Sequence, residues 1–295
     1  MSAPWLMVVA SLLFATMGVC IKLAAVHYSV GEIVFYRGLV GALVMGALTH
    51  VQGGSLRTPR IAMHFWRSLT GVIALCLWFY AIGKLPLATA MTLNYMSSVW
   101  MALFLIGGAM MLGAQRVDTR LILTVMVGFI GVSLTLRPTI EEKQLWEGLM
   151  GLLSGMVSAA AYLQVSALGR AGEPDYRIVF YFSIGGVLAG AALATAFGWT
   201  AHSWRGIGLL VAVGLLATVA QLLMTRAYAI GRPLVNASLQ YLGIAFSFAY
   251  GVLLFDDRVT FMAMAGMLLI VGAGVQAARL RSTAQLAVPV RRPKP

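Results

Sequence analysis

Three carboxamides stand where amides are costly. Asn94, Gln221 and Gln240 lie well inside long apolar runs. A buried polar group without a partner costs roughly 2–7 kcal/mol, so each of the three must meet protein, water or a ligand. Positions i, i+4, i+7 and i+11 share one face of a helix. Asn236, Gln240, Gly243, Ser247 and Tyr250 obey that spacing, as do Gly214, Thr218, Gln221, Thr225 and Tyr228. Gly151, Gly155, Ser158, Tyr162 and Ser166 form a third such stripe, and Ser11, Ala15, Gly18, Lys22 and Ala25 a fourth. Asn94, Ser97 and Ser98 share an arc with Tyr95 and Trp100 at its edges. The chemistry open to these stripes is recognition along a polar path. Helix packing is the competing reading, because small residues let membrane helices approach and polar ones bond across the contact. Gly151-xxx-Gly155 and Gly186-xxx-Gly190 fit packing.

Charged and aromatic residues sharpen the picture. Lys22 closes its stripe, where it either snorkels to the interface or anchors a substrate carboxylate. Glu32 and Arg37 open the next span and fit an outer gate. Arg67 and Arg226 lie near inner helix ends and read as topology determinants. Trp78, Tyr80, Tyr95, Trp100, Tyr162, Tyr228 and Tyr241 belong to spans with polar or small faces. Such a wall holds a flat ring by stacking or an ammonium by cation–π attraction. An aromatic amino acid offers both groups. The candidate substrate-binding set is Lys22, Trp78, Tyr80, Asn94, Tyr95, Trp100, Ser158, Tyr162, Gln221, Gln240, Tyr241 and Ser247.

The elements that carry these residues follow from composition. Of 295 residues, 60% are hydrophobic and 10% charged, against about 25% charged in a soluble domain. Apolar runs of about 20 residues, the length that crosses the hydrocarbon as a helix, recur with short breaks. Ten spans are expected, near 5–25, 32–50, 64–83, 87–110, 119–136, 148–168, 178–198, 206–228, 233–254 and 261–279. The first has no charged start and reads as a retained helix rather than a signal peptide. The bases divide two to one in favour of the face bearing both termini, which puts the termini in the cytoplasm. The formal charge of +12 then reflects topology and contact with anionic lipid headgroups, not nucleic acid. Cys20 and Cys76 fall inside apolar spans and imply neither a disulfide framework nor a metal site.

Several chemistries are excluded or disfavoured. All nine acids fall in loops or at span ends, so proton coupling by a mid-membrane carboxylate is not expected. Facilitated diffusion or substrate exchange remain. There is no G-x-x-x-x-G-K-[ST] phosphate loop, no cluster with metal-ligand spacing, and no base placed to activate a serine. No cofactor is expected, and the chain does not read as an enzyme.

The chain also repeats itself. YAIGK at 80–84 answers YAIGR at 228–232, LNYM at 93–96 answers LQYL at 239–242, and QRVDT at 115–119 answers DRVT at 257–260. A unit of five spans crosses an odd number of times, so its second copy is inverted. Inverted repeats with a site near the midplane are the architecture of alternating-access carriers. The fold expected is an all-α membrane protein of ten transmembrane helices. It consists of a first five-helix unit at 1–137, an inverted second unit at 138–280, and a disordered basic cytoplasmic tail at 281–295.

The ten spans, the duplicated unit, the YAIG-base corners and the glycine-rich fifth and tenth spans resemble the drug/metabolite transporter superfamily, with two EamA-type domains. The details look closest to its aromatic amino acid exporter branch. The resemblance implies a secondary transporter of the bacterial inner membrane that exports small metabolites, here aromatic amino acids, as a monomer or weak oligomer among membrane lipids. Alternatives left open are another amino acid, a nucleoside or a drug as cargo, and a membrane-embedded enzyme or structural subunit. Members often carry a glutamate-arginine pair at the ends of the fourth and ninth helices. Here those places hold Gln115-Arg116 and Asp256-Asp257-Arg258, which puts an ion-pair role in the first copy in question.

Overall fold

The computed structural model describes residues 2–111, 144–231, 239–257 and 260–286, together with 123, 126, 127, 130, 131, 134 and 236. The expected fifth span, the Gln115-Arg116 pair, Arg258 and residues 287–295 of the tail lie wholly or largely outside them.

Apolar stretches without interior proline become helices, and local signals set their ends. Helix α1 (Ala3–Ala24) begins with proline in its first turn, where the missing N–H would have no partner anyway. Helix α2 (Val30–Val51) opens on a capping box: Ser29 Oγ accepts from the Glu32 amide, and Glu32 Oε2 accepts from the Ser29 amide at 2.9 Å. Helix α3 (Ile61–Lys84) stops before Pro86. Helices α6 (Leu145–Arg170) and α7 (Asp175–Phe197) follow, and Ser203 caps α8 (Trp204–Ile230). These six are long and apolar enough to cross a membrane. Among the described residues every regular element is a helix.

Two spans that look continuous in the sequence are interrupted. The fourth divides at Met96 into α4 (Leu87–Tyr95) and α5 (Ser97–Met111). The ninth turns at Gln240–Tyr241 before α9 (Leu242–Phe255). The two breaks fall in the answering phrases LNYM and LQYL. Helix α10 (Phe261–Leu286) runs past residue 281, where the tail was expected to begin.

The helices pack in exchanged pairs. α2 lies along α7; α1 lies on α8 as α3 lies on α6; α2 meets α8 as α3 meets α7; α1 meets α9 as α6 meets α4 and α5. The α2–α7 crossing is the tightest. A Cβ on Gly38 would stand 2.7 Å from both the Ser183 carbonyl oxygen and the Val187 amide nitrogen, a separation only glycine permits. Gly190 faces the backbone of Phe35 in the same crossing, as a packing role requires. The outward faces are apolar, with Leu188, Leu253 and Trp204 exposed, while Arg37, Arg67, Asn94, Gln221 and Gln240 are buried. That is the polarity expected of helices whose solvent is lipid.

Candidate functional site

Two arginines meet in the middle of the bundle. Arg37 lies seven residues into α2 and Arg67 six into α3, so each stands about 10 Å beyond its helix start. Successive spans run in opposite directions, so the two approach from opposite faces. Neither snorkels outward. Arg37 is 3% exposed and Arg67 2%. Both guanidiniums lie against the ring of Phe182 on α7, with centroid distances of 4.8 Å and 4.1 Å. Arg37 Nη2 donates to Gln221 Oε1 at 3.5 Å. Arg37 Nε, Arg67 Nε and Arg67 Nη1 are buried without a hydrogen-bond partner. Gly71 makes room one turn along α3, since any Cβ there would collide with the Arg67 guanidinium.

The arginines form one wall of a central cavity. Phe14, Trp78, Tyr95, Tyr162, Gln221 and Gln240 complete most of the rest. Phe14 and Trp78 meet edge to face at 6.3 Å, and Tyr162 stacks on Tyr228 at 5.3 Å. The free space is about 40 Å³, enough for a water or two but not for a metabolite. Loading therefore requires the walls to part. Trp78 Nε1, Tyr95 Oη and Gln240 Oε1 are also buried without a partner. Desolvating a charge costs several kcal/mol even after the protein relaxes. Among the described lining residues no carboxylate offsets the two positive charges. Two guanidiniums with no offsetting carboxylate among those residues, set among aromatic walls, could hold an anion with an apolar or aromatic part.

Of the twelve candidates, Trp78, Tyr95, Ser158, Tyr162, Gln221 and Gln240 line this cavity, and six stand elsewhere. Lys22 pairs with Asp257, Nζ to Oδ1 and Oδ2 at 3.1 Å and 3.3 Å, and its ammonium lies over Phe255. Asp257 also accepts from the Leu87 amide at 3.0 Å, so Lys22 ties α1 to the ends of α4 and α9 and has no charge to spare for a ligand. Tyr80 turns away and donates to Glu147 at 3.4 Å. Asn94 spends its amide on Ser154 and Ser158 of α6, at 3.0 Å and 3.2 Å. Trp100 is half-buried against the core. Tyr241 lines a separate apolar recess with Leu242 and Met267. Ser247 is fully buried outside the cavity wall.

The arginines themselves are what the sequence reading missed. The sequence points Arg37 to a gate and Arg67 to topology, whereas the structure places both in the centre of the bundle. The available signal was depth: a base two turns into an apolar helix is too far from the interface to be merely a helix-end charge. Arg67-xxx-Gly71 carried a second signal, a glycine one turn from a long side chain.

A second charged cluster lies between the start of α3 and the turn before α7. Glu173 is buried and accepts from Thr58 at 2.9 Å and Arg177 at 3.0 Å, with His64 Nε2 at 3.2 Å. Burial pushes its pKa up, but the hydrogen bonds from Arg177, Thr58 and His64 outweigh that and hold it below the ordinary carboxylate value. This cluster fastens helix ends and does not reach the cavity.

Comparison with known proteins agrees with this anatomy. Residues 1–137 match the EamA-like transporter family. The chain is 30% identical over 276 residues to the pseudopaline exporter CntI of Pseudomonas aeruginosa, covering 94% of this chain and 95% of that one. The chain belongs to the EamA-like transporter family. Other relatives are a riboflavin transporter of Brucella anthropi, 23% identical over 91% of this chain and 95% of that one, and an S-adenosylmethionine uptake transporter of Rickettsia felis, 21% identical over 82% and 80%. A solved crystal structure has the same fold, with a TM-score of 0.69 at 17% identity, covering 94% of this chain and 97% of the other. The protein is thus a multi-pass membrane transporter in a family whose members carry chemically different small molecules. The relatives do not support the aromatic amino acid exporter branch.

Proposed function

We propose that the protein exports a small organic dianion, two acidic groups joined to an apolar or aromatic part, by alternating access through the Arg37–Arg67 cavity. The observation that carries this is the pair of buried guanidiniums on one ring, with no carboxylate among the described lining residues. An aromatic amino acid fits less well. Its carboxylate would satisfy one arginine, but its ammonium would sit beside the other with no acid to receive it. The aromatic walls retain a role in holding the apolar part. Outward transport is supported by the pseudopaline exporter at 30% identity.

The exchanged helix pairs and the matching breaks at Met96 and Gln240–Tyr241 support a ten-helix inverted repeat, in which broken helices border the site. The two-to-one charge bias supports cytoplasmic termini in a bacterial inner membrane.

Binding to the purified protein tests the reading. Benzylsuccinate should bind more tightly than phenylalanine, and Arg37→Gln and Arg67→Gln should each weaken it about 10- to 150-fold, the range for a lost hydrogen bond to a charged group. Preference for phenylalanine, unaffected by either substitution, would overturn it.

A further inference from the structure

The walls part and close in both directions, so the direction of net flux is set by the gradients of whatever the cycle carries. We infer that the membrane potential drives export, with no proton or sodium ion carried in return. The inference rests on the dianion reading above.

Counter-transport requires a group in the cavity that binds a cation when the substrate has left. The ionised groups among the described lining residues are Arg37 and Arg67, and guanidinium does not give up its proton in proteins. Tyr95 and Tyr162 are phenols, which ordinarily hold their protons to about pH 10. Two fixed positive charges repel sodium, and no described lining residue is a carboxylate that would coordinate it. None of the described acids lines the cavity: Glu32 accepts from Ser29 and Thr200, Glu147 from Tyr80, Glu173 belongs to the α3–α7 cluster, Asp175 pairs with Arg226, Asp257 pairs with Lys22, and Asp256 is exposed beyond the end of α9. His64 binds Glu173 and packs on Tyr181.

Over one complete cycle the protein's own charges return to their starting positions. The net charge moved is therefore that of the substrate. An inside-negative potential favours the exit of an anion by about 50-fold in concentration per charge per 100 mV, hence about 2,000-fold for a dianion. The arginines that select the substrate's charge thereby also set the direction of flux.

Proteoliposomes carrying the purified protein provide the test, with labelled benzylsuccinate, phthalate and phenylsuccinate as probes. A potassium gradient with valinomycin sets the potential, and a separate pH gradient is applied with the potential clamped at zero. An inside-positive potential of 100 mV should concentrate at least one probe more than tenfold, and a current should report two charges per molecule. A two-unit pH gradient under clamp should change accumulation less than about 1.5-fold. Accumulation that follows the pH gradient and ignores the potential overturns this inference while leaving the dianion site intact. If none of the three probes binds or moves, the dianion reading fails, and this inference with it.

Discussion

Gly71→Ala is a small change aimed at the charge in the cavity. A methyl group at position 71 collides with the Arg67 guanidinium and would stand 2.8 Å from Cε2 of Phe182, so Arg67 must swing off the ring. The lost cation–π contact is worth about 0.5–2 kcal/mol. Alanine in place of glycine inside a helix returns about 0.8–1 kcal/mol. The two nearly cancel, so global stability should move by no more than about 1 kcal/mol. Binding should not be spared. A displaced Arg67 forfeits a charge-assisted hydrogen bond of about 1.5–3 kcal/mol, a loss of roughly 10- to 150-fold in dianion affinity. Tryptophan-fluorescence unfolding and benzylsuccinate titration of the same preparation separate the two effects. Gly46→Ala is the control. A Cβ there meets only the ring of Phe180 at an ordinary 3.7 Å, and affinity should not change. Wild-type affinity in a folded Gly71→Ala protein would refute the placement of Arg67 at the binding site.

Other perturbations separate scaffold from site. Asp257→Ala should destabilise more than Lys22→Ala, by about 1 kcal/mol, because it also strips the acceptor from the Leu87 amide; thermal unfolding of the two variants decides. Glu173→Gln should lower the melting temperature at pH 7. Because the folded pKa of Glu173 is depressed, its stabilisation is present above the ordinary carboxylate pKa and fades as pH falls through the lower folded value, so variant and wild type should converge on acidification. Asn94→Leu leaves two hydroxyls of α6 without their donor and should cost about 1–3 kcal/mol with little effect on which anion is preferred. A change in preference without a change in melting would assign Asn94 to the substrate instead.

Much of this protein can be read from its letters, for a physical reason. In lipid a helix must satisfy its own backbone, so length and hydropathy nearly determine the spans. The arcs bearing Gln221 and Ser158–Tyr162 follow from the helical period and do reach the cavity. A period shows which face is polar but not which neighbour receives it. Asn94 and Tyr95 are adjacent, yet one spends its amide on Ser154 while the other borders the cavity. The partner of Lys22 is not visible in the sequence, since Asp257 lies 235 residues away. The depth of the two arginines is not legible from a count of bases by side, which treats every arginine near a span end alike. Only packing reveals that Arg37 and Arg67 turn inward to Phe182. The breaks were hidden because Met96 and Tyr241 are as hydrophobic as their neighbours.

The glycine crossing of α2 and α7 reaches beyond stability. Arg37 precedes Gly38, and Phe182 precedes Ser183, whose carbonyl faces Gly38. The first arginine and the ring it lies on are thus bolted to a place where two backbones touch and no larger residue fits. Phe14 and Trp78, on the remaining wall, do not adjoin a glycine crossing of this kind. Substitution can reshape that wall freely while the charge stays where the crossing fixes it. If the proposed anion site is right, a scaffold of this kind is evolvable in a particular way, since new cargoes could be accommodated by altering shape alone, with the electrostatics left in place.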